Sequence, residues 1–306
     1  MILCCGESLI DMLPRRTDSG EEAFAPYPGG AVFNTAIALG RLGAPVGFFS
    51  GISSDLFGEI LQKSLADSNV SSAHSSISDR PTTLAFVKLV NGQASYAFYD
   101  ENTAGRMLTA DDLPDLPDSI QAAFFGGISL VGEPCGSAYE ALMTRETTAR
   151  VTMIDPNIRP GFVTDEAAYR ARIARMLALA DIVKLSDEDL HWLYGDGAID
   201  DLARGVLARG AKLVCITEGA KGATAFTSQH EIFVAAEKVD VVDTVGAGDT
   251  FNSGILAALH DAGALTKTGV AALTDTALHG ALSLAARSAA VTVSRAGANP
   301  PWKSEL

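Results

Sequence analysis

The sequence predicts an α/β protein with a central, mostly parallel sheet and helices on both faces. The first observation is that short apolar runs alternate with longer segments in which Ala, Leu and Ile recur at helical spacing. The second is that the chain has 306 residues, 47% of them hydrophobic, which is enough for one large core. Strands that alternate with helices pair in parallel, and the ligands of such sheets bind beyond the carboxyl ends of the strands.

Six apolar runs predict buried strands, and helical patterns separate or follow them. The strands are predicted at residues 2–5, 46–49, 122–125, 151–154, 182–185 and 213–216. The helices are predicted at residues 31–42, 55–66, 137–148, 166–179, 198–208, 249–262 and 270–288.

Two segments, residues 13–28 and 81–100, interrupt this alternation. The first contains three prolines, and the second contains two β-rich runs joined by Asn91-Gly92, a strong hairpin signal. We expect the two segments to form a small β lid over the carboxyl edge of the sheet, within a single domain of residues 1–306. The alternative is a surface hairpin that has no function.

The bulk properties exclude several classes of protein. A net charge of −14 argues against a surface that binds nucleic acid or anionic membranes, because both need a basic patch. No apolar run approaches the roughly 18 residues of a membrane span. The four cysteines lack zinc-ligand spacing, and residues 1–10 lack the basic start of a signal peptide. We therefore expect a cytoplasmic protein with reduced thiols, and we expect burial for the three cysteines that lie in apolar runs.

The most informative stretch is residues 243–251, Asp-Thr-Val-Gly-Ala-Gly-Asp-Thr-Phe. Gly246 and Gly248 allow a tight turn, and the helix start behind them presents unpaired N–H groups that bind anions. Asp249 places a carboxylate beside this anion site, which suits phosphoryl transfer to a hydroxyl with Asp249 as the base. The alternative is an ordinary turn in which Asp249 only caps the helix.

A second glycine pair, Gly29-Gly30, opens the first predicted helix, and Asn34 lies one turn into it. Asn34 offers a donor and an acceptor, which suits a sugar hydroxyl. Asp11 follows the first strand, and its carboxylate is placed to accept hydroxyl hydrogen bonds. The alternative is a glycine turn followed by a solvated Asn.

The segment from Gly29 through Asn34 to Gly43 resembles the first signature of the ribokinase-like (PfkB-type) sugar kinases. Residues 243–251 are similar to the second signature of that family, and the resemblance covers essentially the whole chain. It implies the ribokinase-like fold, ATP and Mg²⁺ as cofactors, and a small-molecule sugar as the acceptor. In many members of the family a monovalent cation such as K⁺ also binds.

The resemblance implies roles for individual residues. Asp249 corresponds to the catalytic base, and the anion hole corresponds to Gly246, Ala247 and Gly248. Sugar contacts correspond to Asp11, Gly30 and Asn34, and a phosphate or sugar contact to Arg159, for which a surface Arg is the alternative. The nucleotide side corresponds to Lys184, Ser186, Thr217, Gly219 and Gly222. A water-mediated Mg²⁺ contact corresponds to Asp189, and a monovalent-cation site to Asp243 and the backbone near Gly297.

The chain departs from the family pattern at Ser186 and Asp189, where many members carry Asn and Glu. Asp189 is one methylene shorter than Glu, and a contact through water tolerates that change. The alternative is that Asp187, Glu188 and Asp189 are merely solvated acids at a helix start.

The substrate is predicted by a finer resemblance. Residues 99–104 and 298–301 resemble fructokinases, and Asp100 would repel a substrate carboxylate. A neutral sugar is therefore favoured, with D-fructose first and its 6-phosphate as the product. The alternatives are a ribokinase, a 2-keto-3-deoxygluconate kinase, a nucleoside kinase, and a catalytically silent sugar-binding regulator on the same fold. An exposed lid edge would also allow a homodimer.

Overall fold

The structure, a computed structural model, describes the backbone of residues 1–90 and 93–306 and the side chains of residues 1–87 and 97–306. The strands are β1 (Ile2–Cys5), β2 (Leu9–Arg16), β3 (Glu22–Gly29), β4 (Val46–Phe49), β5 (Gly51–Ser53), β6 (Val70–Ser71), β7 (Ser76–Ser78), β8 (Leu84–Val90), β9 (Gln93–Tyr99), β10 (Ala122–Gly126), β11 (Val151–Asp155), β12 (Ile182–Ser186), β13 (Leu213–Thr217), β14 (Gly222–Phe226) and β15 (Glu231–Ala235). The helices are α1 (Ala31–Arg41), α2 (Leu56–Asp67), α3 (Cys135–Glu146), α4 (Glu166–Leu179), α5 (Asp187–Tyr194), α6 (Ile199–Leu207), α7 (Ala247–Asp261), α8 (Lys267–Ala271) and α9 (Asp275–Val293).

The central sheet has nine strands within the described residues, in the order β15-β14-β13-β12-β11-β10-β1-β4-β6. All six predicted strands lie side by side in it and pair in parallel, as expected. Strands β14 and β15 were not predicted, and they add an antiparallel edge beyond β13. The parallel strands end at one edge, which brings Asp155, Ser186 and Thr217 to the same side of the sheet.

The helices agree with the predicted pattern except near the carboxyl terminus and after β12. The helix predicted at about residues 270–288 is present as α9, but its start is wrong, because α8 ends at Ala271 and Thr274 caps α9 separately. Helix α5 was not predicted; it begins after Ser186, whose side chain accepts a hydrogen bond from the Asp189 amide. A hydroxyl in that position satisfies one of the unpaired N–H groups of a helix start.

Each face of the central sheet carries its own hydrophobic cluster. Side chains of α1, α2, α7, α8 and α9 cover one face, and those of α3, α4, α5 and α6 cover the other. Helix α7 packs so closely on α9 that a side chain at Gly254 would collide with the backbone of Ala285. All four cysteines are buried free thiols, whereas burial was expected for three of them. No helix among the described residues is long and apolar enough to cross a bilayer.

The two segments that interrupt the alternation form a separate sheet of four strands within the described residues, in the order β3-β2-β8-β9. Strands β8 and β9 pair as an antiparallel hairpin, which confirms the prediction of a small β sheet, although the Asn91-Gly92 turn itself lies outside the described residues. Pro26 and Pro28 lie on the edge strand β3, where a missing N–H is tolerated. Phe98 of β9 packs edge-to-face on Phe162, which follows β11.

Candidate active site

The start of helix α7 has the geometry of an anion site. Gly246 caps the helix with a left-handed φ of 79°, and an added Cβ there would lie 2.8 Å from the Ala298 Cβ. Among the described residues, the amides of Gly248 and Asp249 have no acceptor, and Ala247 N–H reaches the Thr244 carbonyl only at 3.4 Å. Free N–H groups at the positive end of a helix dipole favour a bound anion such as a phosphoryl group.

Asp249 lies in the first turn of α7 and is only 6% exposed. Its Oδ2 accepts a hydrogen bond of 2.9 Å from Asn34 Nδ2, and its Oδ1 faces Asn157 Nδ2 at 3.4 Å. Burial raises the pKa of Asp249 to about 7, and the charges of Asp155 and Glu7 act in the same direction, against the Asn34 hydrogen bond. A carboxylate with a pKa near the working pH is well suited to accept a proton.

A buried ion pair lies next to this turn. Lys184 Nζ on β12 lies 3.0 Å from Asp155 Oδ2 at the end of β11, and Asn252 Nδ2 on α7 donates to the same oxygen at 2.7 Å. A Cβ added to Gly248 would lie 3.1 Å from Lys184 Nζ. Burial alone would lower the pKa of Lys184, but the neighbouring carboxylates, Asp155 first, hold it above its usual value. The ammonium therefore stays charged beside the anion site.

The sugar side of the predicted site is built around Asp11 and Gly30. Asp11 was expected at the end of the first strand, but it lies within β2 of the small sheet, where it pairs with Tyr27. Its carboxylate packs against Gly29, which has no room for a side chain, and burial raises its pKa to about 6. Gly30 has φ 111° and lies against the Glu7 backbone at the start of α1. The carboxylate thus lies one residue from the loop that begins α1.

Glu7 was not predicted as a site residue. Its Oε1 accepts a hydrogen bond of 2.8 Å from the backbone N–H of Ala31, and its Oε2 accepts one of 3.2 Å from the backbone N–H of Ser129. Burial raises the pKa of Glu7, although these hydrogen bonds oppose the change. Glu7 therefore holds the amino end of α1, and with it Asn34, in place. Its position directly after the first predicted strand was the available signal.

The predicted nucleotide residues meet at the carboxyl edge of the sheet. Ser186 ends β12 directly opposite Thr217 at the end of β13. Gly219 follows with φ 54° in a short 3₁₀ turn. Gly222 has φ 133°, and a side chain there would collide with the backbone of β15. Ser186, Thr217 and Gly219 therefore lie together at this edge of the sheet. Gly222 needs no nucleotide to explain it, because the close pairing of β14 with β15 already requires a glycine there.

Two cation sites were predicted, a Mg²⁺ contact at Asp189 and a monovalent-cation site at Asp243 and Gly297. Asp189 is buried, and its Oδ1 accepts the Ile158 amide hydrogen bond at 3.0 Å. Within the described residues its Oδ2 accepts no hydrogen bond, which fits a contact to Mg²⁺ through water. Asp243 and Gly297 do come together, since Asp243 Oδ2 accepts the Gly297 amide hydrogen bond at 2.9 Å. No cluster of three or more His, Cys, Asp or Glu suited to a metal occurs in the described part of the chain.

The structure does not bring Arg159 to Asp249. Arg159 is exposed, and its guanidinium donates to the neighbouring Ile158 carbonyl at 3.0 Å. Asn157, from the same loop, faces Asp249 with its side-chain amide. Its backbone has a left-handed φ of 46°, and its backbone N–H donates a hydrogen bond to Asp155 Oδ1. The contact of Arg159 with a phosphate or a sugar stays a prediction, whereas Asn157 is the residue of this loop that reaches the predicted base. Asn252 was also missed, although it lies one helical turn after the predicted base.

Comparisons with known proteins identify the family of the chain. The pfkB family carbohydrate kinase model matches residues 1–305. A fructokinase from Rhizobium leguminosarum bv. trifolii is 60% identical over 278 residues, which are 91% of this chain and 85% of that protein.

Two solved structures share the fold. A double-mutant fructokinase from Vibrio cholerae O395, in its fructose-, ADP- and potassium-bound form, has a TM-score of 0.84 at 26% identity, and the match covers 97% of this chain and 93% of that one. Aminoimidazole riboside kinase from Salmonella enterica, complexed with aminoimidazole riboside and an ATP analog, has a TM-score of 0.82 at 27% identity over 97% and 94% of the two chains. With the family model matching nearly every residue, the chain belongs to the pfkB family of carbohydrate kinases.

Proposed function

We propose that this protein is an ATP-dependent fructokinase that converts D-fructose to fructose 6-phosphate. The observation that carries the proposal is Asp249, a buried carboxylate with a pKa of about 7 beside free amides at the start of α7. A base and an anion site in one helical turn are what phosphoryl transfer to a hydroxyl requires. The choice of fructose is supported by the 60% identical fructokinase relative.

In the proposed reaction, Asp249 accepts the proton of the attacking sugar hydroxyl. Asn34 holds the Asp249 carboxylate at 2.9 Å and fixes its orientation. The amides of Gly248 and Asp249, together with the ammonium of Lys184, stabilise the negative charge of the transferred phosphoryl group. When bound, Mg²⁺ would supply charge neutralisation of the phosphates, with Asp189 as the residue suited to hold its water.

The charge of Asp100 does not by itself select a neutral sugar. Asp100 was expected to repel a substrate carboxylate, but its Oδ2 is paired with Arg106 Nη1. This pair offsets the repulsion, so the preference for fructose now depends on the relatives. A nucleoside kinase is the second candidate, because the aminoimidazole riboside kinase superposes almost as well as the fructokinase does.

The test is a coupled ADP-release assay over fructose, ribose, 2-keto-3-deoxygluconate, adenosine and inosine. We expect the highest kcat/KM with fructose. A higher kcat/KM with a nucleoside would replace the proposed substrate and leave the kinase reaction in place. Calorimetric binding of fructose without any turnover would favour the catalytically silent regulator.

We propose that the four-stranded sheet acts as a lid of the single domain. The contact between Phe98 and Phe162, and the position of Asp11 on β2, support closure over the sugar. Closure would exclude water and limit ATP hydrolysis. A homodimer through the exposed lid edge and a cytoplasmic location stay predictions, and gel filtration against standards tests the first.

A further inference from the structure

We infer that Asp155 and Asn252 are positioning residues of the phosphoryl transfer: Asp155 holds the Lys184 ammonium beside Gly248, and Asn252 ties Asp155 to the helix that carries Asp249. This inference rests on the proposed kinase function. It adds two residues that act through Lys184 and Asp249.

First, the protein itself uses most of the hydrogen-bonding capacity of the Asp155 carboxylate. Asp155 is 1% exposed, and its Oδ2 receives both Lys184 Nζ at 3.0 Å and Asn252 Nδ2 at 2.7 Å. Its Oδ1 accepts the Asn157 amide at 3.1 Å. Three hydrogen bonds on a side chain that is 1% exposed leave little of the Asp155 carboxylate for a ligand to contact. Its effect on catalysis must therefore pass through the groups that it holds.

The second argument concerns the groups that Asp155 holds. Lys184 is 4% exposed, and in the described part of the chain Asp155 is the single hydrogen-bond partner of its ammonium, which leaves other N–H groups beside Gly248. A buried ammonium without a counter-charge would be strongly destabilising. Asn252 is 1% exposed, and its Oδ1 has no partner among the described residues, so donation to Asp155 is the hydrogen bond that its amide makes.

The third argument is the arrangement of charges around Asp249. Glu7 acts on it from the segment after β1, Asp155 from β11 and Lys184 from β12. Asn34 from α1 and Asn157 from the loop after β11 also contact Asp249, and both side chains are uncharged. If Asp155 loses its charge, one of the two repelling carboxylates is gone, and the attraction by Lys184 is opposed by Glu7. If Lys184 loses its charge, the carboxylates are left to repel Asp249.

The experiment measures the ionisation of Asp249 without any substrate. Carbon-13 NMR of aspartate-labelled protein follows the carboxyl signals with pH, and Asp249→Asn identifies the signal. We expect Asp155→Asn to lower the titration midpoint of Asp249 by about one pH unit or more, and Lys184→Met to raise it by a similar amount. The double variant, which removes both charges, should return the midpoint toward that of the wild type. Shifts in the same direction, or no shifts, would overturn the inference.

Kinetics supply the second measurement. The acid limb of the kcat/KM profile should move with the NMR midpoint in each charge variant. Asn252→Ala removes no charge, so we expect about a tenfold lower kcat with an unchanged KM for the sugar and an unchanged acid limb. A wild-type kcat in this variant would remove Asn252 from the inference.

The matched control is Glu146→Gln, which breaks a second buried ion pair, with Arg150 at 2.7 Å. It should lower Tm but leave the Asp249 midpoint and kcat unchanged, and a shifted midpoint would show that the method reports general destabilisation. If the wild-type protein phosphorylates no sugar, the proposed function fails, and the NMR titration still decides the charge arrangement.

Discussion

The substitution Asp249→Asn should weaken catalysis and strengthen the fold. An unfolded chain ionises this carboxyl at its ordinary pKa of 3.8, whereas burial raises the pKa to about 7 in the folded protein. The folded state therefore binds more protons between these pH values, and stability is lost as the pH rises through 7. Asn has no charge to bury, so the variant avoids this loss.

The magnitude follows from the difference between the two pKa values. At pH 8, where Asp249 is ionised in the folded protein, its raised pKa destabilises the fold by about 4 kcal/mol; at pH 5, where folding must keep the carboxyl protonated, the cost is about 2 kcal/mol. For a chain of this length, about 2 °C of Tm corresponds to 1 kcal/mol, so the variant should melt about 8 °C higher at pH 8. Because the base is lost, kcat should fall by about 10² to 10⁴-fold.

The assay combines thermal unfolding at pH 8 and pH 5 with ADP-release kinetics. Asp181→Asn is the matched contrast, since Asp181 is a buried carboxylate outside the site that accepts hydrogen bonds from Lys267 at 2.6 Å and Thr152 N–H at 2.8 Å. That variant should be less stable than the wild type, because its buried partners lose their acceptor. If Asp249→Asn gained no stability at pH 8, or kept near-normal turnover, the assignment of Asp249 as a buried base would be refuted.

Three further predictions concern the same site. Ala247→Asp places a negative charge at the anion site, so kcat/KM for ATP should fall by about 100-fold or more while calorimetry still detects fructose binding; normal ATP turnover would exclude the anion site. Gly29→Ala puts a Cβ against the Asp11 carboxylate, so the KM for the sugar should rise about tenfold with little change in kcat. The control is Gly205→Ala, on an exposed helix face with open space around it, which should leave this KM unchanged. The kcat/KM of the wild type should rise about tenfold per pH unit up to pH 7 and then level off, because Asp249 must be ionised to accept a proton; an acid limb centred near pH 4 would contradict its raised pKa.

The fold was predictable wherever local pattern and long-range pairing agree. The six apolar runs became adjacent parallel strands because buried parallel strands are continuous apolar segments. Strands β14 and β15 were missed because their mixed sequence is stabilised by antiparallel pairing, of β14 with β13 and of β15 with β14, which local periodicity does not report. The break between α8 and α9 was missed because the Thr274 cap interrupts an otherwise continuous apolar pattern.

The candidate site was predictable in its backbone and less so in its side chains. Gly246 and Gly248 were identified because a left-handed cap and a close approach leave a glycine signal in the sequence. Asn157 and Asn252 were missed, since a polar residue in a loop or helix has the same local signal whether it faces solvent or Asp249. Arg159 was selected for its charge, and the structure directs that side chain to its own loop.

By itself, the sequence determined the α/β architecture, the helix start that binds an anion, and the presence of a carboxylate in its first turn. Only the tertiary structure decided what surrounds that carboxylate. Asn34 reaches Asp249 across 215 positions of sequence, and the Asp155–Lys184 pair spans 29. Secondary structure follows from neighbouring residues, but a pKa depends on burial and on charges that the order of the strands brings together. Asp249 is therefore a base near neutral pH because of the packing around it.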